Sequence, residues 1–507
     1  MSEAQTSSSS PLVRPATTTL ARTKSTPSFI TTNKSYRHQY SNIYFMRLKL
    51  LRLAVEERAL QRWGKLDDRP ELVPRVLEVT KGQLCYIIGT VYMEMPLKAN
   101  VMEDITRDRS IQAPPPKAKF YSPEDSVMLE DESGRIHLVG ACLKDARLVT
   151  GVIIGALGME TPNGDFEVID VCLAGLPPQL SALNEEEDMY VDESSSDPWI
   201  AVASGLDVGS DNSSDARIQL LVEYLTGECE VADDQVLPSQ IARLILAGDS
   251  LSSASITARA DAVAAAEDKK QKKIIQDRAL LSPHPIHTLA SHLLDIGRSL
   301  PIHILPGELD PSGTIMPQQP LPRVMFSAVS KLPTFSCESN PTYIRVVPGE
   351  VEEPKEGEEV GTNVLSKLRT LLVNSGQPLN DMFKYLPNRN HSRLSILEST
   401  LKWRHMAPTA PDTLWCHPFI EEDPFILYET PDIYIVGGQK RFGTKLVEGE
   451  RAGKGRKPRC RLVMVPHFGR TGVLVLINLR TLAVKCMNFS IEGMTGGGDT
   501  DAVLEGM

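Results

Sequence analysis

The spacing of apolar positions divides the chain into stretches of different texture. From Tyr40 to Trp63, apolar residues at 44, 45, 48, 51, 55, 59, 60 and 63 recur at helical intervals, and Gly64 supplies a stop. The spacing predicts one long helix whose polar face carries Arg47, Lys49, Arg52, Glu56, Glu57, Arg58 and Arg62. Its apolar face packs on its own domain in this reading, with partner binding as the alternative. From about Arg75 to Pro178 the period shortens to that of strands, at 83–93, 126–141, 148–160 and 166–175. The turn sequences DESG at 131–134 and PNGD at 162–165 join neighbouring strands as hairpins. Short strands this closely spaced predict a small closed barrel.

Beyond residue 198 strands alternate with helices: a strand at 199–211, a helix over 216–228, a strand at 240–251, a helix over 286–300 and a strand at 302–311. Such alternation predicts a layered α/β domain. Strand texture returns at 432–439, 460–468, 471–480 and 483–490. The expected organisation is a disordered Ser/Thr-rich tail (1–34), a helical segment (35–74), a barrel of the OB-fold kind (75–180), an acidic linker (181–198), an α/β domain (199–490) and a flexible Gly-rich tail (491–507). Insertions at 256–281, 348–360 and 446–459 read as solvated decoration. The fold class expected is therefore multidomain α+β.

Composition narrows the function. The 507 residues suffice for two or three domains, and 41% hydrophobic with 23% charged residues is globular composition. A net charge of -11 argues against a generally basic nucleic-acid binder. A local contact would fall to the basic run from Arg441 to Arg459, which reads more simply as a solvated hairpin tip. Tyr86, Tyr92 and Phe166 are too few to make the barrel a single-strand platform, so a protein-binding barrel is expected. Eight scattered cysteines without a CxxC pair read as reduced thiols of a cytosolic or nuclear protein. No apolar run approaches the roughly 20 residues needed to span a bilayer, so no membrane association is expected.

The densest chemistry lies at Arg404–Phe419, RHMAPTAPDTLWCHPF, where Pro408, Pro411 and Pro418 direct a backbone bearing His405, Asp412, Trp415, Cys416 and His417. Further candidates fall at predicted strand ends: SGLDVG (204–209), AGDS (247–250), PGELDP (306–311), SNP (339–341) and VGGQ (436–439). Their order resembles that of the calcineurin-like metallophosphoesterases, whose DxH, GDxxD, GNHD/E, lone His and GHxH motifs hold two metals. Two adjacent divalent ions need carboxylate and imidazole ligands to activate water and clamp a phosphoryl oxygen. Here Gly205 and Asp207 stand for DxH, and Asp249 is kept while Ser252 replaces the second carboxylate of GDxxD. Glu308 and Leu309, before Asp310, replace the Asn and His of GNHD/E, and Gly438 and Lys440 replace both GHxH histidines. His405 is the remaining candidate imidazole. The resemblance implies an inactivated phosphoesterase α/β sandwich, with no cofactor and no metal. The alternative is a divergent metal-dependent phosphoesterase using Asp207, Asp249, Glu308, Asp310 and His405. Taken singly, Asp249 reads as a backbone-amide acceptor, Asp310 as a turn initiator, His405 as a loop hydrogen-bonding group, and Asp412 as a turn former or buried partner of Arg404.

An OB barrel followed by such a domain resembles the B-family accessory subunits of replicative DNA polymerases, and within them the small subunits of the delta type. The carrying sequences are QYSNIYFMRL (39–48), VMLEDESGRIHLVG (127–140), LPPQ (176–179), ILPGELDPSGTIMPQQPL (304–321), the run from Ile396 to Phe419 with Arg404, His405, Pro408, Pro411 and Asp412 at its centre, and DPFIL (423–427). The family commonly has a cysteine or small residue where Trp415 stands. The resemblance implies a nuclear, non-catalytic scaffold in DNA replication and repair. Such a scaffold grips the C-terminal cysteine-rich, metal-containing module of the polymerase catalytic subunit and a third, extended subunit, and serves the sliding clamp and DNA indirectly.

Overall fold

The computed structural model describes residues 13–21, 28–32, 40–66, 69–98, 117–179, 197–210, 212–228, 236–252, 283–351, 364, 367–387, 392–450 and 457–490. The expected linker 181–198 apart from its last two residues, the insertion 256–281, most of 348–360, the tip 451–456 of the basic hairpin and the tail 491–507 lie outside the described residues. No helix among the described residues is long and apolar enough to cross a membrane.

Strand β1 (Thr17–Leu20) falls inside the segment expected to be a disordered tail. It runs antiparallel to a strand more than 300 residues away, from Thr17 opposite Pro348 to Leu20 opposite Arg345. Arginines hold it in place. Arg14 donates to the carbonyls of Leu225, Pro238 (2.6 Å) and Ile241 (2.9 Å), and Arg243 donates to Oγ1 (2.8 Å) and O (2.6 Å) of Thr17. No local periodicity announces a strand fixed by such distant partners.

Helix α1 (Ser41–Trp63) buries Ile43, Leu48, Leu51, Val55, Ala59 and Trp63. Its faces depart from the expected ones at three positions: Phe45 and Leu60 are exposed, and Arg47 is wholly buried. The helix lies on a barrel made from β2 (Glu71–Leu72), β3 (Cys85–Glu94), β4 (Ser126–Glu130), β5 (Arg135–Val139), β6 (Ile153–Glu160) and β7 (Phe166–Leu173). The strands are ordered β2-β3-β4-β5-β7-β6, and β6 pairs back onto β3 to close the sheet, which removes its long edges. DESG turns β4 into β5 and PNGD turns β6 into β7.

The rest is a sandwich. One sheet holds β8 (Trp199–Ala203), β9 (Ile241–Ala247), β10 (Ile302–Leu305), β11 (Phe335–Cys337), β17 (Val473–Asn478) and β18 (Val484–Asn488) in the order β11-β10-β9-β8-β17-β18. The other holds β1 with β12 (Thr342–Pro348), β13 (Arg369–Asn374), β14 (Ile433–Gln439), β15 (Gly443–Glu448) and β16 (Arg459–Pro466) in the order β1-β12-β13-β14-β16-β15. Strands β8, β9 and β10 are parallel and buried throughout, which is why they read as apolar runs without alternation. Ile200, Val202, Ile245 and Leu305 of the first sheet meet Val346, Leu371, Val373 and Ile435 of the second in a core of β-branched and leucine side chains. Helices α2 (Asn212–Thr226) and α3 (Pro283–Gly297) flank the first sheet, and α4 (Gln377–Tyr385) and α5 (Arg393–Trp403) the second. The hydrophobic cluster inside the barrel continues without a break into α4, α5 and the stretch around Phe425. Barrel and sandwich therefore share one core.

Candidate functional site

The loops that follow β8, β9, β10, β13, β14 and β16 converge at one end of the sandwich. Asp207 (φ +59°) and Asp249 (φ +55°) both sit in the left-handed region, which short polar side chains tolerate better than others. Asp249 accepts from the Leu309 amide through Oδ1 at 2.9 Å, and its carbonyl accepts from the Asp207 amide at 3.3 Å. Asp310 accepts from the amides of Ser250 (3.3 Å), Leu251 (2.9 Å) and Gly307 (2.8 Å). Burial pushes its carboxyl up to about 6, aided by the charge of Asp249 and opposed by the three amides. Gly307 is required where it stands, because a Cβ there would fall 2.2 Å from both the amide nitrogen and Oδ1 of Asp249. At Gly205 (φ +65°) a Cβ would fall 2.0 Å from Nδ1 of His467. His467 is thus brought to this end although no sequence motif marks it, and burial lowers its pKa while Asp249 and Asp207 pull the other way.

Beside these carboxylates lies an uncharged network. Asn340, wholly buried, donates to Gln318 (2.6 Å), Ser375 (2.6 Å) and Gln377 (3.1 Å) and accepts from the Ser375 amide (3.0 Å). Gln377 donates to Gln318 (2.9 Å), and Gln318 donates to the carbonyls of Gly307 (2.9 Å) and Gly313 (2.7 Å). Ser204 donates to Ala247 O at 2.7 Å and accepts from the Gly438 amide at 2.8 Å, which ties the two sheets together. Glu308 and Lys440 are exposed and Ser252 is buried beside Gly209. Two metals do not fit this donor set: Gly205 and Gly438 have no donor side chain, and one oxygen of Asp249 and both of Asp310 already accept from backbone amides. Among the described residues, no three His, Cys, Asp or Glu side chains gather as a metal ion requires.

Arg404 and His405 belong to a second cluster, at the junction of α1, barrel and sandwich. Arg47 donates to Asp423 (Nε to Oδ2, 2.7 Å) and to the carbonyls of Gly151 (3.2 Å), Pro408 (2.7 Å) and Ala410 (2.8 Å). Both partners of the ion pair are fully buried. The Ala407 amide donates to Nδ1 of His405 (3.2 Å), which leaves Nε2 to donate to Asp423 at 2.8 Å, so the ring is a neutral tautomer. Burial, then the charge of Arg47, bring His405 down to about 4 against the pull of Asp423. Burial would raise the Asp423 carboxyl, but His405 and Arg47 outweigh it and hold it well below the usual carboxylate range. Arg404 (φ +54°) donates to the carbonyls of Gly175 (2.8 Å) and Leu176 (3.2 Å), not to Asp412. Asp412 accepts from Lys98 (2.8 Å) and Tyr385 (2.9 Å), and Pro411 lines a cavity of about 320 Å³ with it. Pro408 and Pro411 thus flank a turn whose Pro408 and Ala410 carbonyls face Arg47.

Both shifts have the same sign for stability. A histidine lowered on folding stabilises the fold above its unfolded pKa of 6.5, and this is lost as pH falls toward 4; the depressed Asp423 adds a loss below its unfolded value of 3.8. Asp310, raised on folding, works oppositely and is most favourable at low pH. Between pH 6.5 and 4 the His405 and Asp310 contributions oppose each other, so the expected result is a difference: as pH falls through this window the thermal midpoint of the wild type should drop relative to that of His405→Gln, as a pH series of thermal melts would register.

Comparison with known proteins fits this architecture. The DNA polymerase delta subunit OB-fold domain matches residues 39–171, and the B-subunit family of DNA polymerases alpha and epsilon matches 200–351 and 367–444. The DNA polymerase delta small subunit of Oryza sativa subsp. japonica is 34% identical over 453 residues, covering 89% of this chain and 93% of the relative. That of Saccharomyces cerevisiae is 31% identical over 491 residues, covering 90% and 91%. DNA polymerase delta subunit 2 of Drosophila melanogaster is 31% identical over 457 residues, covering 90% and 94%. The chain belongs to the family of DNA polymerase delta small subunits.

Proposed function

We propose that the chain is a non-catalytic scaffold of a nuclear DNA polymerase delta complex that works in replication and repair. It bridges the C-terminal cysteine-rich module of the catalytic subunit and a third, extended subunit, and meets the sliding clamp and DNA only through them. The sandwich is a calcineurin-like phosphoesterase fold whose two-metal site has been lost. The domain boundaries go with this reading: barrel 75–180, linker 181–198 and phosphoesterase-like domain 199–490. One observation carries it: of the carboxylates at the strand ends, Asp310 spends both oxygens on the backbone amides of Ser250, Leu251 and Gly307, and Asp249 spends one on that of Leu309. Carboxylates engaged in this way hold the loops whose amides they accept from.

The test pairs a hydrolysis assay with a variant. The purified chain with Mn²⁺ and bis-p-nitrophenyl phosphate is expected to release no nitrophenol above the blank, and Asp249→Asn in the assembled complex to leave DNA synthesis unchanged. Mn²⁺-dependent hydrolysis that disappears in Asp249→Asn would establish the divergent phosphoesterase instead.

A further inference from the structure

The outer face of β3 runs beneath α1, and the helix covers only half of it. Successive outward residues are Tyr86, Ile88, Thr90 and Tyr92. Leu51, Val55 and Ala59 of α1 cluster with Tyr86 and Ile88, whereas Thr90 and Tyr92 line the cavity of about 320 Å³ beside Asp412, together with Tyr40, Tyr44 and Glu130. Thr90 is only 6% exposed, yet neither its hydroxyl nor that of Tyr44 has a hydrogen-bond partner among the described residues. A buried hydroxyl left in that state is unfavourable until a group arrives to bond it. Carboxylate oxygens are also to spare. Asp412 gives Oδ2 to Lys98 and Tyr385, and Glu130 gives Oε1 to Arg135 (2.6 Å), while the second oxygen of each accepts nothing among the described residues. No Lys or Arg among the described residues lines the cavity, and the nearby cations are committed: Lys98 to Asp412, Arg135 to Glu130 and Arg47 to Asp423. The field inside is negative. Burial raises the pKa of Tyr44, Asp412 adds to the rise, Arg47 opposes it, and Cys416 and Glu130 add again, so two carboxylates act on that hydroxyl against one guanidinium.

We infer that this cavity is a socket for one arginine side chain of another subunit. Its guanidinium stacks on the tyrosine rings, donates to the spare oxygens of Asp412 and Glu130, and gives N–H donors to the hydroxyls of Tyr44 and Thr90. Arginine fits better than lysine because acceptors on several sides of an aromatic-walled space match a flat fork of five N–H groups, whereas an ammonium has three donors and no face to stack. An anionic group is excluded by the two carboxylates. The inference rests on the accessory-subunit reading and adds where one partner is held and by which chemistry.

The test begins with the free full-length chain, titrated with N-acetyl-arginine methylamide while the ring signals of Tyr44 and Tyr92 are followed by NMR. A saturable shift is expected, and N-acetyl-citrulline methylamide, neutral and of the same shape, should leave the signals unmoved. In the assembled polymerase complex, a benzophenone photocrosslinker at residue 40, on the cavity rim, should mark a segment of another subunit that contains arginine, and replacing that arginine by lysine should weaken the subunit's binding at least about fivefold. Thr90→Val removes a hydroxyl that bonds nothing in the free chain, so the thermal midpoint should hold or rise while binding of the same subunit weakens about tenfold. A response to citrulline equal to that to arginine, no response to either, or a cross-link to a segment without arginine overturns the socket and leaves the scaffold reading in place. A chain that recruits no polymerase subunit at all sinks that reading, and the partner's arginine with it.

Discussion

Asp423→Ala is expected to destabilise the chain by about 3–5 kcal/mol, because it removes one side of a buried ion pair and leaves the other. Arg47 cannot reach water and would keep its charge with only the carbonyls of Gly151, Pro408 and Ala410 as partners, while Nε2 of His405 loses its acceptor. The loss should appear as a lowered thermal midpoint with loosening of both barrel and sandwich, since Arg47 reaches each of them. Arg47→Lys should fare little better, because one ammonium cannot serve acceptors spread around a planar guanidinium. Arg47→Met/Asp423→Leu should cost clearly less than the sum of the single changes, as expected when an uncompensated charge dominates. A midpoint for Asp423→Ala close to that of the wild type would show that the pair does not organise the junction.

The second large effect is expected at Asn340. Replacing it by leucine keeps the approximate volume but strips the Ser375 amide of its acceptor, and the oxygens of Gln318 and Gln377 each lose one of two donors. Each buried group left unsatisfied costs about 1–3 kcal/mol, so a loss of about 3 kcal/mol is expected even after some repair by neighbouring bonds. Ser252→Ala is the matched control at the same end of the sandwich. Its hydroxyl is buried without a hydrogen-bond partner, so its removal should leave stability within about 0.5 kcal/mol of wild type or raise it. Thermal melts of the two variants separate a loop end held by its amide network from one in which these positions are interchangeable.

Much of the fold is legible in the residues. The barrel hairpins follow from DESG and PNGD, and α1 runs from Ser41 to Trp63 within one residue of its periodic pattern. What is not legible is fixed by distance along the chain. Strand β1 exists because Arg14, Arg243 and the edge of β12 receive it. Arg47 falls on the polar face of α1 in the periodic pattern because local spacing gives no sign of an acceptor at residue 423. Strands β12 and β13 and helix α4 are likewise absent from the sequence reading. The strand-end motifs are visible, but the reactive look of its neighbours groups His405 with them. It lies instead with Asp423, and His467, which is adjacent to Gly205, has no motif around it to draw notice. Asn340 reads only as the middle of the strand-end candidate SNP, although its amide holds together residues from three loops.

The scaffold account is tested most directly by co-expressing the catalytic and third subunits with and without this chain and measuring the mass of the eluted species by light scattering in high salt. The account predicts one complex containing all three when the chain is present, and separate catalytic and third subunits when it is omitted. Co-elution of those two subunits without this chain would contradict it.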